Sequence, residues 1–322
     1  MLVDSFLSEA RPLLELIHDA EKYPTPVWQP LEFQGFGTQL TELQDSRQIA
    51  RLLQLDFEHA IVGDDRERAM RDLQAMQNTA DAFDWDLFLV GELVNVALRS
   101  MRYTAIQRSL YADVWTAEDL QQLISELQNP LPLAQSWQRS IESEKAMAMT
   151  YTEGYLFSPS SRLRAFEIYA QMEALSNSPP GRFALPAREL EQQFRANSDG
   201  DMLADMILPA VAAYAAAFDR LERTRRLVLT SLAVKLFQLT HDRWPNSLHE
   251  LTQVGLESQD WTLPGIGALG YEIQADDQTA CVWGVNETDY RLLETQAAVS
   301  AECPDYAGEE LDKVQVYLTI IN

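Results

Sequence analysis

The sequence predicts a mainly α fold of the α+β kind: a helical array, then one long helix that carries a small antiparallel β-sheet. Three observations lead there. Apolar residues recur at helical spacing through most of the chain as far as His241. Residues 201–251 read as one long helix running into a tight Trp-Pro turn. Beyond that turn the apolar period becomes strictly alternating. The expected division is a helical array over 1–199 and the long helix plus sheet over 200–322.

The first expected helix, 5–23, places Phe6, Leu7, Leu13, Leu14, Leu16 and Ile17 on one side and Arg11, Glu15, Asp19 and Glu21 elsewhere. Pro12 falls early and is expected to set its start. Residues 24–37 contain three prolines and two glycines, so they form a loop. Its Val27, Trp28, Leu31, Phe33 and Phe36 are too apolar to stay in water, and the loop is expected to lie along a helical groove. A second helix, 38–62, runs through Leu43, Ile49, Leu53, Phe57 and Ile61 and ends at Gly63-Asp64. Asp64 or Asp65 then caps a third, 66–83, through Ala69, Leu73, Met76 and Ala80. Asp84 or Asp86 is expected to start a fourth that reaches Tyr111. Thr116-Ala117-Glu118-Asp119 is a capping-box variant before Leu120, Leu123, Ile124 and Leu127. Helices over 131–155 and 158–176 follow, and Pro179-Pro180-Gly181 is the strongest breaker in the chain. A short helix over 187–196 completes an array of seven or eight.

The long helix has Ser198, Asp199 or Asp201 as its cap and an apolar stripe from Leu203 through Tyr214, Leu221, Val228 and Leu232 to Leu239. The stripe weakens across Glu222-Arg223-Thr224-Arg225-Arg226, which predicts a wetter segment. Pro209 either kinks the helix or marks the start of its main part. Small residues over 210–217 allow a neighbouring helix to approach closely. At about 1.5 Å per residue the rod is roughly 50 Å long, so other helices must lie along it. Trp244, which precedes a proline, should be extended. Asn246 or Ser247 then caps a short helix that Gly255 closes. Leu269, Tyr271 and Ile273, then Thr279, Cys281, Trp283 and Val285, mark the two arms of a hairpin, and 314–321 a third strand. So few strands cannot stand alone, so the sheet should lie on the C-terminal half of the long helix.

Two stretches resemble known families. Arg243-Trp244-Pro245-Asn246-Ser247-Leu248-His249-Glu250-Leu251, between a long helix and a two-stranded segment, resembles an R/G-x-W/Y-P-x-S-L-x-x-L stretch of an uncharacterised planctomycete-type family of secreted or membrane-anchored proteins. The C-terminal part of that family is similar to the globular region of type II secretion pseudopilins. The resemblance covers about residues 215–290. It departs from the pattern where an Asp-Pro-Phe-x-Gly loop is expected, since this chain has Thr262-Leu263-Pro264-Gly265-Ile266-Gly267. Ala60, Gly63, Asp64, Ala69 and Leu73 resemble one helix–turn–helix of a tetratricopeptide repeat. A single such unit does not make a solenoid, which needs about three.

The net charge is −24. That excludes a nucleic-acid binder, which needs basic surface to displace counterions, and a binder of anionic lipid. Residues 245–322 hold 14 Asp+Glu against 2 Lys+Arg, half of the whole excess. No run of 18 apolar residues exists, so no membrane span is expected within 1–322. Met1 to Ala10 has Asp4 and Glu9 and no basic run, unlike a signal peptide. The resemblance to anchored proteins implies an anchor upstream. Cys281 and Cys303 leave two readings, a disulfide in an oxidising compartment or, the favoured one, two buried thiols.

Candidate sites are few. His241 and His249 flank the Trp-Pro turn, with Glu250 beside them; their spacing is not that of a helix-face pair, and a polar turn surface is expected. His18 and His59 fall near apolar positions on separate helices and read as hydrogen-bonded structure. Glu142 and Glu144 are paired carboxylates that could do acid/base work, but two residues apart they point to different faces. No Gly-x-Ser-x-Gly elbow and no phosphate loop occurs. By the pseudopilin resemblance, Asn286-Glu287-Thr288-Asp289 occupies the loop where the major pseudopilins hold calcium, and Asp305 could complete a Ca²⁺ site with Asn286, Glu287 and Asp289. A plain acidic loop is the favoured reading. The function expected is a non-enzymatic, extracytoplasmic interaction or scaffold protein with a protein partner. The alternatives are a hydrolase-type enzyme with a site built from distant carboxylates and histidines, and a secretion-apparatus component.

Overall fold

The computed structural model describes residues 2–23, 42–84, 88–129, 133–153, 158–178, 181–196, 202–264, 266–274, 279–284 and 313–317. The described chain is mainly helical, with a small antiparallel sheet near its C-terminus. The helices are α1 (Leu2–Asp19), α2 (Glu42–Val62), α3 (Arg66–Asp81), α4 (Leu89–Ser109), α5 (Ala117–Gln128), α6 (Leu133–Glu153), α7 (Pro159–Ala174), α8 (Ala184–Ala196) and α9 (Met202–His241). A 3-10 helix, Leu248–Val254, follows the Trp-Pro turn.

Much of the fold is built around α9, while α1, α2 and α3 pack on one another and on α4. α9 contacts α4, α5, α7 and α8 along its length and the strands near its end. At about 1.5 Å per residue its 40 residues make a rod of roughly 60 Å. It continues unbroken past residue 209, so Pro209 does not mark the start of the helix. From Leu227 to Gln238 every residue is buried, which is the pattern of a helix enclosed on all sides rather than of an amphipathic one. Ala212 and Ala215 let the array come close. There Tyr214 stacks on Trp137 of α6 at 5.2 Å and meets Phe218 at 4.5 Å.

Local signals explain most helix ends. Thr116 and Asp119 complete a reciprocal capping box on α5. Asp65 accepts from the Arg68 amide to start α3, after Asp64 at φ 55° turns the chain out of α2. Ala60 and Ala69 are buried where α2 and α3 fold together. Two expectations fail. α1 begins at Leu2, and Pro12 sits inside it. The start of α4 is not capped by Asp84: Phe88 is at the cap position without a side-chain bond, and Asp86 lies outside the described residues. Asp84 instead accepts from Asn95 and Arg99 of that helix.

α9 ends at His241, and Asp242 follows in the left-handed region at φ 53°. The turn is then held by Glu250, which accepts from the Asn246 amide (2.7 Å) and from Arg243 (2.9 and 3.2 Å). Tyr271 donates to the Pro245 carbonyl. Trp244, Leu248 and Leu251 are buried, so the most distinctive sequence motif serves the core. Ser247 precedes the 3-10 helix but makes no capping bond.

The strands are β1 (Thr262–Leu263), β2 (Gly267–Ala268), β3 (Gly270–Ile273), β4 (Thr279–Trp283) and β5 (Lys313–Tyr317). β1 and β2 form a small pair, and β3-β4-β5 an antiparallel sheet with Glu272 opposite Cys281 and Cys281 opposite Gln315. All of β4 is buried, because strands flank it and α9 contacts it. Gly270 is required where it stands, since an added Cβ would overlap the Trp283 indole.

Candidate functional site

The residues singled out for calcium, Asn286, Glu287, Asp289 and Asp305, lie outside the described residues, as do Cys303 and the apolar stretch over 24–37. Cys281 is buried in β4. His241 and His249 do not come together: His241 lies against Phe237 (4.3 Å) and His249 against the edge of Trp261 (6.1 Å). Glu142 is exposed and accepts from Gln138, whereas Glu144 turns inward and accepts from the Leu89 amide, so the two face different ways. Burial pushes the Glu144 carboxyl up.

The charged side chains gather in the interior instead. The first cluster joins α1 to α2 and α3. His18, buried on α1, lies 2.8 Å from Asp72 Oδ1 of α3. His59 of α2 lies 2.8 Å from Asp4 of α1. Arg68 of α3 reaches His59 Nδ1 at 3.5 Å and binds both oxygens of the buried Asp56. Asp72 Oδ2 has no hydrogen-bond partner among the described residues. Burial drives the Asp72 carboxyl up to about 6, opposed by the His18 hydrogen bond and reinforced by the charge of Asp56.

The second cluster sits on α9, in the segment expected to be wet. Glu222 is 1% exposed and takes both Arg225 (2.8 Å) and Arg226 (2.7 Å). Arg225 continues to the Leu127 carbonyl at the end of α5. Arg226 reaches the carbonyls of Gln259 and Thr262. The polar run is therefore a joint between α5, α9 and β1. Burial raises the Glu222 carboxyl, but the two guanidinium groups outweigh it and hold the group below its usual value. The i,i+3 and i,i+4 spacing of one acid and two arginines was the available signal. It read as a surface pattern because sequence does not show which elements fold over it.

A third device caps α8. The buried Asp219 of α9 accepts from the amides of Phe183 (2.9 Å) and Ala184 (2.7 Å). Between α6 and α7 lies a small cleft, with room for about one water, edged by Lys145, Arg162, Phe166 and Tyr169. Lys145 is engaged by Glu173 at 3.0 Å.

The accessible face with a recognisable pattern is on α1. Its inner side buries Leu7, Leu14 and His18. Its outer side exposes Leu2, Phe6, Leu13 and Leu16, with Leu2 90% and Leu16 69% accessible. The helix is apolar on two sides but buries one. No group of three or more His, Cys, Asp and Glu among the described residues has the geometry of a metal site, and no described helix is long and apolar enough to cross a membrane. No known protein family, curated protein or solved structure matches the chain.

Proposed function

We propose that this chain is a non-enzymatic interaction or scaffold protein that works on the extracytoplasmic side of a membrane and engages another protein through the outer face of α1. The observation that carries this reading is the exposed row Leu2, Phe6, Leu13 and Leu16 on a helix whose opposite side is fastened inward. An apolar row on a surface helix, here interrupted at Glu9, marks an interaction site more often than scattered apolar residues do. The fastening is polar and specific, since two histidine–carboxylate pairs tie α1 to α2 and α3. The compartment rests on the resemblance of the Arg243–Leu251 stretch to anchored proteins.

Site-directed photo-crosslinking in producing cells tests it. A crosslinker placed at Leu16 should give a discrete adduct with another protein. One placed at Leu163, an isolated exposed leucine on α7, should give none. Equal labelling from both positions, or none from Leu16, contradicts the reading.

A further inference from the structure

The outer row of α1 has a register. Leu2, Phe6, Glu9, Leu13 and Leu16 are spaced by four, three, four and three residues, the seam of a coiled coil. All five are exposed. Glu9 stands at the middle of an otherwise apolar seam. A charge there has a consequence for any helix that docks along it, because the partner must place something opposite a carboxylate that the contact would dehydrate.

We propose that this seam docks a basic amphipathic helix of another protein, with a Lys or Arg opposite Glu9. The inference rests on the interaction reading above and adds the chemistry of the partner. Charge complementarity selects it. Of the acids of α1, Asp4 is bonded to His59 and Asp19 to Lys22, whereas Glu9 lies on the seam itself, on a chain of net charge −24. A second copy of the chain fits poorly. Parallel pairing of two copies in matched register sets Glu9 against Glu9 between two strongly acidic molecules, and antiparallel pairing sets each Glu9 against Phe6 or Leu13 with no counter-charge. The same acidity disfavours an anionic bilayer. A basic helix neutralises Glu9 and buries the four apolar residues together. Such a partner also meets the general rule that polar groups at seam positions fix register and partner choice.

The test uses the purified full chain and three labelled synthetic peptides, read by fluorescence anisotropy. One has Leu at the seam positions, Lys on both flanks and one Lys within the seam. The second has Glu for every Lys. The third is the first with its order scrambled, which keeps the charge and removes the seam. The expected result is binding of the first peptide at least about tenfold tighter than of the other two. Leu13→Ser with Leu16→Ser should abolish it, and Glu9→Lys should shift the preference toward the acidic peptide. Equal binding of the scrambled peptide, or binding indifferent to the α1 variants, overturns the proposal. So does sedimentation showing a dimer that the Leu13→Ser/Leu16→Ser variant dissolves, or uptake of the chain onto zwitterionic vesicles through this face; both outcomes leave α1 as an interaction surface. If no peptide binds and the same double variant melts far below the wild type, the face is part of the folded core, and the interaction reading falls as well.

Discussion

His18 Nε2 and Asp72 Oδ1 meet at 2.8 Å inside the protein, 54 residues apart in sequence. The pair fastens α1, which has few other anchors, to α3. Arg68 holds Asp56, the other buried carboxylate of the cluster, so the site has its own counter-charge.

The pair makes stability depend on pH. An unfolded aspartate gives up its proton near 3.8, whereas buried Asp72 keeps it up to about 6. The folded state thus holds the proton more tightly. The stability this contributes is complete below the unfolded value and is lost as pH rises from about 4 to about 6. Asp72→Asn removes the titration. The stability of the wild type relative to Asp72→Asn should therefore fall by on the order of 2 kcal/mol between about pH 4 and pH 7. Urea midpoints for both proteins across that range measure it; a constant difference contradicts the assignment.

Glu222 should behave in the opposite sense. Its carboxyl is held below the usual value, so its contribution is present above 4.5 and is lost on acidification through the lower folded value. Glu222→Ala leaves Arg225 as a buried cation without its carboxylate and is expected to cost about 3–5 kcal/mol. Chemical denaturation reads the loss directly. A cost below about 1 kcal/mol at neutral pH would show that the joint between α5 and α9 does not depend on the pair.

Asp219 gives a smaller, local effect. Asp219→Ala strips two amides at the start of α8 of their acceptor and should cost about 2 kcal/mol, with Asp219→Asn milder. Hydrogen exchange at Phe183 and Ala184 should accelerate first. Unchanged protection at both amides would contradict the cap.

The helices were legible in the sequence wherever the signal is local. Apolar spacing, the Thr116–Asp119 box, Asp65 at the start of α3 and the turn at Gly255 all rest on contacts within a few residues. The alternation of Tyr271, Ile273, Cys281 and Trp283 likewise marked the hairpin. What could not be read was tertiary. Glu222, Arg225 and Arg226 look solvated until α5 and β1 close over them. Asp219 looks like any helix-surface acid until α8 begins against it. Pro12 looks like a helix start, yet it lies within α1, where tertiary contacts on Leu7 and Leu14 hold turns on either side of it. The two apolar sides of α1 were read as one, because spacing alone does not say which side the rest of the chain covers.

The account depends most on the outer row of α1 being surface rather than core. Thermal unfolding of Leu13→Ser/Leu16→Ser beside Leu14→Ser decides this. Leu14 is fully buried, and its replacement should cost about 2–5 kcal/mol. The outer double variant should stay within about 1 kcal/mol of the wild type, a shift in Tm of no more than about 3 °C. A loss in the double variant as large as that of Leu14→Ser would contradict the account.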